Sequence, residues 1–243
     1  MTSVLIPAAV CVAAAAVVGG ITGFAASLLV TPALLLLGFE VSEVVVINLT
    51  ATLVTRVTAL RVLRRDVEWR AVGLLSSGGL PGAVAGAATA SLVNREVLTV
   101  VAGVAVVIAG THMLVERNVE QRRSVGPVPF VAAGTIGGYL STTISVNGPP
   151  VAILLGATRR TPTQYVADFA GYFVAVNAMS LGTLVVCGRV DGDLLWPVLP
   201  VLVAAAMVGN RVGMRLHPRV PARAFHTSVA VLVIAAGVAT LVA

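Results

Sequence analysis

The chain has 243 residues, of which 58% are hydrophobic and only 11% charged. Soluble domains carry roughly 25% charged residues, so this composition belongs in lipid, and one helical bundle without a separate soluble domain is expected. The net charge of +6 comes from sixteen basic residues, all arginine, scattered at the ends of apolar runs, where topology-setting charges sit; a nucleic-acid partner is excluded on that ground.

From Met1 to Phe39 there is no charged side chain, a length beyond the ~20 apolar residues of one ordinary span. Glycines and then a proline interrupt it: Gly19-Gly20-Ile21-Thr22-Gly23-Phe24, then Pro32. No basic region precedes it, so it is expected to be retained as membrane structure rather than cleaved. Spans are predicted next at about 42–63, 71–93 and 96–115, followed by the polar loop Glu116–Arg123. A second uncharged stretch runs from Ser124 to Thr158, broken at Gly134-Thr135-Ile136-Gly137-Gly138-Tyr139 and at Pro149-Pro150. Three further spans are predicted at about 164–187, 193–214 and 222–242. Cys11 and Cys187 fall in apolar runs without metal-spaced partners and read as inert core thiols.

One broken segment plus three spans therefore occurs twice, over 1–115 and 128–243, with 116–127 as a cytoplasmic connecting loop. Pro32 precedes Gly38, and Pro150 precedes Gly156, by the same interval. Gly82-x-x-x-Gly86 precedes Gly110 as Gly209-x-x-x-Gly213 precedes Gly237. Such pairs allow close helix contact, and their common order points to an internal repeat.

The arginines indicate how the halves are related. If every segment crossed once, eight arginines would lie on one face and six on the other, which obeys no rule. If each broken segment enters and returns, Arg61, Arg64, Arg65, Arg70, Arg117, Arg122, Arg123, Arg159, Arg160, Arg215, Arg219 and Arg223 share one face, against Arg95 and Arg189. That is a positive-inside pattern. Three crossings after each broken segment then make the repeats inverted and place both termini outside. The expected fold is an all-α polytopic membrane protein of two inverted repeats. Each repeat is a broken segment (a re-entrant hairpin or a pair of short helices) plus three transmembrane helices.

Overlong, broken apolar segments in corresponding places of two halves point to a transporter's binding site. Unwound backbone in a membrane persists only where protein, water or ligand satisfies it, and the N-terminal ends of half-helices favour anions. The breaks carry small hydroxyls and an amide rather than acids or thiols: Ser27 and Thr31 in the first, Ser141-Thr142-Thr143-Ile144-Ser145-Val146-Asn147 in the second. These can donate to an oxyanion; back-bonding to their own helices is the competing reading for any single one. Asn48 and Asn177 lie deep in spans and need internal partners, from another helix or a ligand. Arg56 is an ionised group inside an apolar run; it either snorkels inward or attracts an anion. The substrate-binding candidates are Gly23, Ser27, Thr31, Asn48, Arg56, Gly138, Ser141, Thr142, Thr143, Asn147 and Asn177. Asp168 is a candidate coupling carboxylate, or else a cap or partner for Arg159 or Arg160. His112, His217 and His226 share no metal spacing and read as interfacial anchors. No metal or other cofactor is expected.

The glycine-rich opening up to Pro32, its half-repeat up to Pro149-Pro150, and the Gly-x-x-x-Gly span before each terminal helix together resemble the TauE/SafE family over essentially the whole chain. That resemblance implies a bacterial inner-membrane protein associated with export of sulfite or organosulfonates such as sulfoacetate. The residues and the resemblance agree on a small anion as substrate. A negative interior drives a monoanion outward by roughly 2.3 kcal/mol per 100 mV, which favours export. Competing classes are a carrier of another anion such as a carboxylate, a non-transporting accessory subunit, and a membrane-embedded enzyme. The ten acidic residues and three dispersed histidines supply no catalytic constellation for the last. The sequence does not choose between uncoupled export and coupling to protons or sodium, nor between a monomer and a homodimer.

Overall fold

The computed structural model describes residues 2–89, 125–158, 160–190 and 196–221, with isolated positions at 107, 111 and within 227–238. Every regular element among the described residues is helical: α1 (Thr2–Thr22), α2 (Ala26–Leu36), α3 (Val41–Leu63), α4 (Trp69–Thr89), α5 (Pro127–Ile144), α6 (Gly148–Gly156), α7 (Pro162–Val186) and α8 (Val198–Leu216), closed by a 3-10 turn at His217–Arg219. Among the described residues, five stretches are long and apolar enough to cross a membrane: Val4–Thr22, Val41–Leu63, Trp69–Thr89, Pro162–Val186 and Val198–Arg219. The chain is an all-α polytopic membrane protein. The spans predicted at 96–115 and 222–242, and the loop at 116–123, lie outside the described residues, isolated positions aside.

Local chemistry sets the helix starts. Glu40 is extended, and its N–H donates to the Glu43 carboxylate at 2.8 Å, closing the first turn of α3. At α7, Thr161 Oγ1 accepts the Gln164 N–H at 3.2 Å and Gln164 Oε1 accepts the Thr161 N–H at 3.1 Å, with Pro162 pre-set for the first turn. Helix α8 begins at Val198, after Pro197, rather than near 193. Both broken segments have unequal arms: a helix of 21 residues followed by one of 11, and a helix of 18 followed by one of 9.

α3 and α7 are buried nearly all round over much of their length and pack against each other at the centre, as expected of helices apolar on every face. Around them, α4 runs along α5, and α1 runs along α8. Both outer contacts are backbone-close. A Cβ at Gly78 or Gly82 would overlap the carbonyl oxygen of Val131 or Thr135; one at Gly209 or Gly213 would overlap that of Ala13 or Val17. Gly134 and Gly138 meet the Leu75 and Gly79 carbonyls in the same way. Ala13 and Val131 are separated by the same interval as Pro32 and Pro150, so an alignment of the halves on the prolines would pair the contacts of Gly209 and Gly213 with those of Gly78 and Gly82. That is one turn earlier than the Gly82/Gly86 pair that sequence spacing selects. Gly86 instead meets Tyr139 and Thr142.

The larger apolar cluster centres on α7, where Phe24, Phe169, Tyr165 and Phe173 form a column with ring centroids 5.0–5.3 Å apart. A second cluster joins α1, α2, α3 and α8 through Val12, Leu34, Ile47 and Leu202. The cysteines depart from expectation: Cys11 is half-buried, and Cys187 is exposed where α7 ends. Neither is a core thiol, because an apolar run in a membrane protein has an outer face as well as an inner one.

Candidate functional site

In the first break, Gly23 adopts φ +91° and its Cα packs on Val166 of α7; a side chain there would be both strained and crowded. Thr22 Oγ1 bridges the gap, donating to Val18 O at 2.9 Å and accepting the Ala25 N–H at 3.3 Å. In the second break, Ser145 takes the left-handed conformation at φ +55°, and the Val146 N–H returns to Leu140 O at 3.3 Å. α2 and α6 then start without a side-chain cap, and Pro149 and Pro150 contribute no N–H to the first turn of α6.

The two breaks meet. Thr31 Oγ1 of α2 is 3.1 Å from Ser145 Oγ. From α3, Asn48 Nδ2 reaches into the same point, 3.1 Å from Ser145 Oγ and 3.2 Å from Thr31 Oγ1, with the Ser27 and Ser145 carbonyl oxygens each at 3.4 Å. Thr52 donates to Asn48 Oδ1 at 3.4 Å and fixes the amide's orientation. Phe24 packs on Gly148, the first residue of α6. Two broken elements more than a hundred residues apart thus meet at one buried place. There Ser27 and Thr31 in the first half of α2 and the unwound Ser145 surround Asn48, and Phe24 of the first break lies against the start of α6.

Beside this junction, Asn147 Nδ2 donates to Asn177 Oδ1 at 2.7 Å, and Ser141 and Ser180 share a 2.6 Å hydrogen bond. Asn177 Nδ2 and the Tyr172 hydroxyl are buried and have no hydrogen-bond partner among the described residues. The Tyr172 hydroxyl packs against Gly137, which allows it to approach α5 closely. Buried donors without partners are costly, and clusters of them mark places where another molecule supplies the acceptor.

The remaining candidates sit apart. Thr142 donates to Ala83 O of α4 at 3.0 Å and Thr143 to Tyr139 O of its own helix at 2.9 Å, so both hydroxyls serve packing and back-bonding. Gly138 belongs to the α4–α5 contact. Arg56 is buried, 1% exposed, and bonds through Nη2 to Gly19 O at 3.0 Å; it does not snorkel. Asp168 accepts the Glu68 N–H at 2.7 Å and pairs with Arg160 Nε, while Arg160 Nη2 reaches Glu68 Oε2 at 2.7 Å. This clamp ties the α3–α4 loop to the start of α7. His217 Nδ1 lies 2.8 Å from Ile21 O, against the end of α1; His112 and His226 lie outside the described residues. No His, Cys, Asp or Glu group that could hold a metal occurs among the described residues. At the far end of α3, a cleft is lined by Glu40, Ser42, Glu43, Val46, Gly188, Arg189 and Val190.

The sequence reading missed Tyr172, Ser180 and Asn210 and did not single out Ser145. Ser145 stood within the quoted hydroxyl cluster, but only its backbone conformation aims it at Asn48. Asn210 stands beside Gly209 of a packing motif, which is a usable signal. Tyr172 carries none.

The sulfite exporter TauE/SafE family profile matches residues 8–240 of the chain. A probable inner membrane transporter protein, TsaS, from Comamonas testosteroni is 25% identical over 173 residues, covering 71% of this chain and 72% of that protein. No solved structure matches it. Both the family and this relative are described as transporters rather than enzymes. With a match across nearly its full length on a multi-pass helical fold, the chain belongs to the sulfite exporter TauE/SafE family of membrane transporters.

Proposed function

We propose that the protein is a secondary carrier that exports a small sulfur-containing anion, sulfite or an organosulfonate such as sulfoacetate, by alternating access. The observation that carries this reading is the convergence of both breaks on one buried point, where Thr31, Ser145 and Asn48 lie within 3.2 Å of one another. Hydroxyls, side-chain amides and two half-helix N-termini can donate to an oxyanion, and no carboxylate stands among them. Asn147, Asn177, Ser141 and Tyr172 extend it. The printed descriptions of the family and of the relative point to the same substrate class.

Two inverted repeats, 1–115 and 128–243, would form this site between them, with the arginine-rich face and the 116–127 loop in the cytoplasm of a bacterium and both termini outside. In support, α1 with α8 and α4 with α5 are the contacts that a two-fold exchange of the repeats would interconvert. α2 and α6, at about 1.5 Å per residue, are also too short to cross a ~30 Å core.

The test is efflux from proteoliposomes loaded with sulfite or sulfoacetate, at equal pH on both sides and with the membrane potential clamped at several values. Saturable efflux that accelerates as the interior becomes negative is expected. Dependence on a proton or sodium gradient would instead reveal coupling, and preference for a carboxylate would reassign the substrate. Absence of flux for every anion, in protein shown to be folded, would remove the carrier reading.

A further inference from the structure

α3 carries a second polar place. Asn48, Thr52, Thr55 and Arg56 are all buried, and the eight residues from Asn48 to Arg56 put about 12 Å of helix rise between their backbone positions. There α3 is flanked by Gly19 of α1, which Arg56 contacts, and by Asn210 of α8, which contacts the neighbouring Thr55. Arg56 Nη2 bonds to Gly19 O, and Asn210 Nδ2 donates to Thr55 O at 3.4 Å. The Asn210 backbone oxygen is so close to Gly20 that a Cβ there would stand 2.7 Å from it.

Most of this polar capacity is unused by the protein. Arg56 Nε and Nη1 and Asn210 Oδ1 have no hydrogen-bond partner among the described residues, although the two side chains are only 1% and 2% exposed. No salt bridge to Arg56 occurs among the described residues. Capping the end of α1 accounts for Nη2 alone. The bond to Thr55 O fixes the amide, so Oδ1 cannot exchange places with Nδ2 without losing it. What remains, among the described residues, is one positive charge without a counter-charge, with spare donors, and, on the adjoining helix, one spare acceptor. A buried charge without a counter-ion is costly, and a second negative charge here would again be uncompensated.

We propose that Arg56 and Asn210 form a second binding station, distinct from the junction, for a monoanion that carries its own hydrogen-bond donor. Its anionic oxygens accept from Arg56 and its O–H donates to Asn210 Oδ1. Hydrogensulfite, or a sulfonate with a hydroxyl on a short chain, has this chemistry; a sulfite dianion or a plain alkanesulfonate does not. The inference rests on the anion-carrier reading and ranks the substrates within it: sulfoacetate, a dianion without a donor, engages this station less well than hydrogensulfite or a hydroxylated sulfonate.

Two probes matched in charge and close in size separate the alternatives: 2-hydroxyethanesulfonate, which has the donor, and ethanesulfonate, which lacks it. Calorimetric titration of the full chain in lipid nanodiscs is expected to show wild-type preferring the hydroxylated probe by about tenfold. In Asn210→Leu that preference disappears. Arg56→Met weakens both probes by about tenfold or more, and Arg56→Lys restores part of the loss. Equal affinity for the two probes in wild-type, or a preference that survives Asn210→Leu, overturns the proposal while leaving the carrier reading intact. Failure of folded wild-type to bind either probe, in protein that still effluxes sulfite or sulfoacetate, likewise overturns the proposal alone; only absence of flux for every anion removes the carrier reading. Should Asn210→Leu not fold, Asn210→Asp gives the answer: it supplies a fixed counter-charge, so both probes are expected to bind more weakly while the protein melts higher. Undiminished binding in that variant refutes the station.

Discussion

Ser145 shows at the scale of one residue how this site is built. The left-handed conformation costs a non-glycine residue about 1–2 kcal/mol, and glycine would avoid that cost. Serine stands there, and its hydroxyl reaches both Thr31 and Asn48. Ser145→Gly is therefore expected to melt within a few degrees of wild-type, strain relief offsetting lost hydrogen bonds, while its anion efflux falls about tenfold. Ser145→Ala keeps the strain and loses the bonds, so both melting temperature and efflux should fall. Equal efflux in wild-type and Ser145→Gly would mean that the hydroxyl serves the fold alone. The hydroxyl-and-amide chemistry of the breaks was legible in the sequence because so many small polar groups in lipid need a reason. Which hydroxyl faces which neighbour was not. Thr142 and Thr143 are consecutive, so they point about 100° apart on the helix, one to α4 and the other back along α5.

At the scale of elements, glycine sets the distance between helices. Gly82→Ala would drive a methyl into the Thr135 carbonyl and force α4 from α5, so it is expected to lower the melting temperature sharply or abolish assembly. Gly73 lies on the same helix with nothing within 4 Å of its would-be Cβ, and Gly73→Ala should be neutral or stabilise by up to about 1 kcal/mol. Similar effects at both positions would show that helix propensity, not contact, governs α4. That small-xxx-small pairs mark close contacts was legible. Their register was not, because Gly78, Gly82 and Gly86 are spaced alike and only the partner helix distinguishes them. The Arg160 clamp belongs to this scale too. Asp168→Asn loosens the tie between the α3–α4 loop and α7, so it should lower stability. The efflux of whatever folds should respond to a pH gradient as wild-type does; a lost pH response would restore Asp168 as a coupling group.

For the whole molecule, the order of the helices among the described residues followed from apolar run length, and the two breaks followed from glycine and proline inside overlong runs. The arms of each break came out unequal rather than as matched short helices. Nothing in composition distinguishes a long arm from a short one when both are uniformly apolar. The orientation argument rests on arginines, twelve of which share a face if each broken segment returns. A cysteine placed at Asn118, in a Cys11→Ala, Cys187→Ala background, should react with impermeant maleimide only after inner-membrane vesicles are turned inside out. Labelling from outside intact spheroplasts would reverse the topology and, with it, the direction in which the arginines place the entry side.

The central claim, that the anion sits where the two breaks meet, is tested most directly by substrate protection at Ser27. Among the described residues its side chain bonds only to Phe24 O, so Ser27→Cys in the same cysteine-free background disturbs the junction little. The protein in proteoliposomes is alkylated with N-ethylmaleimide, with and without sulfoacetate, which does not itself react with thiols. At ten times the half-saturating concentration for transport, occupancy should slow alkylation about tenfold. An unchanged alkylation rate, in protein that still transports sulfoacetate, would place the substrate elsewhere.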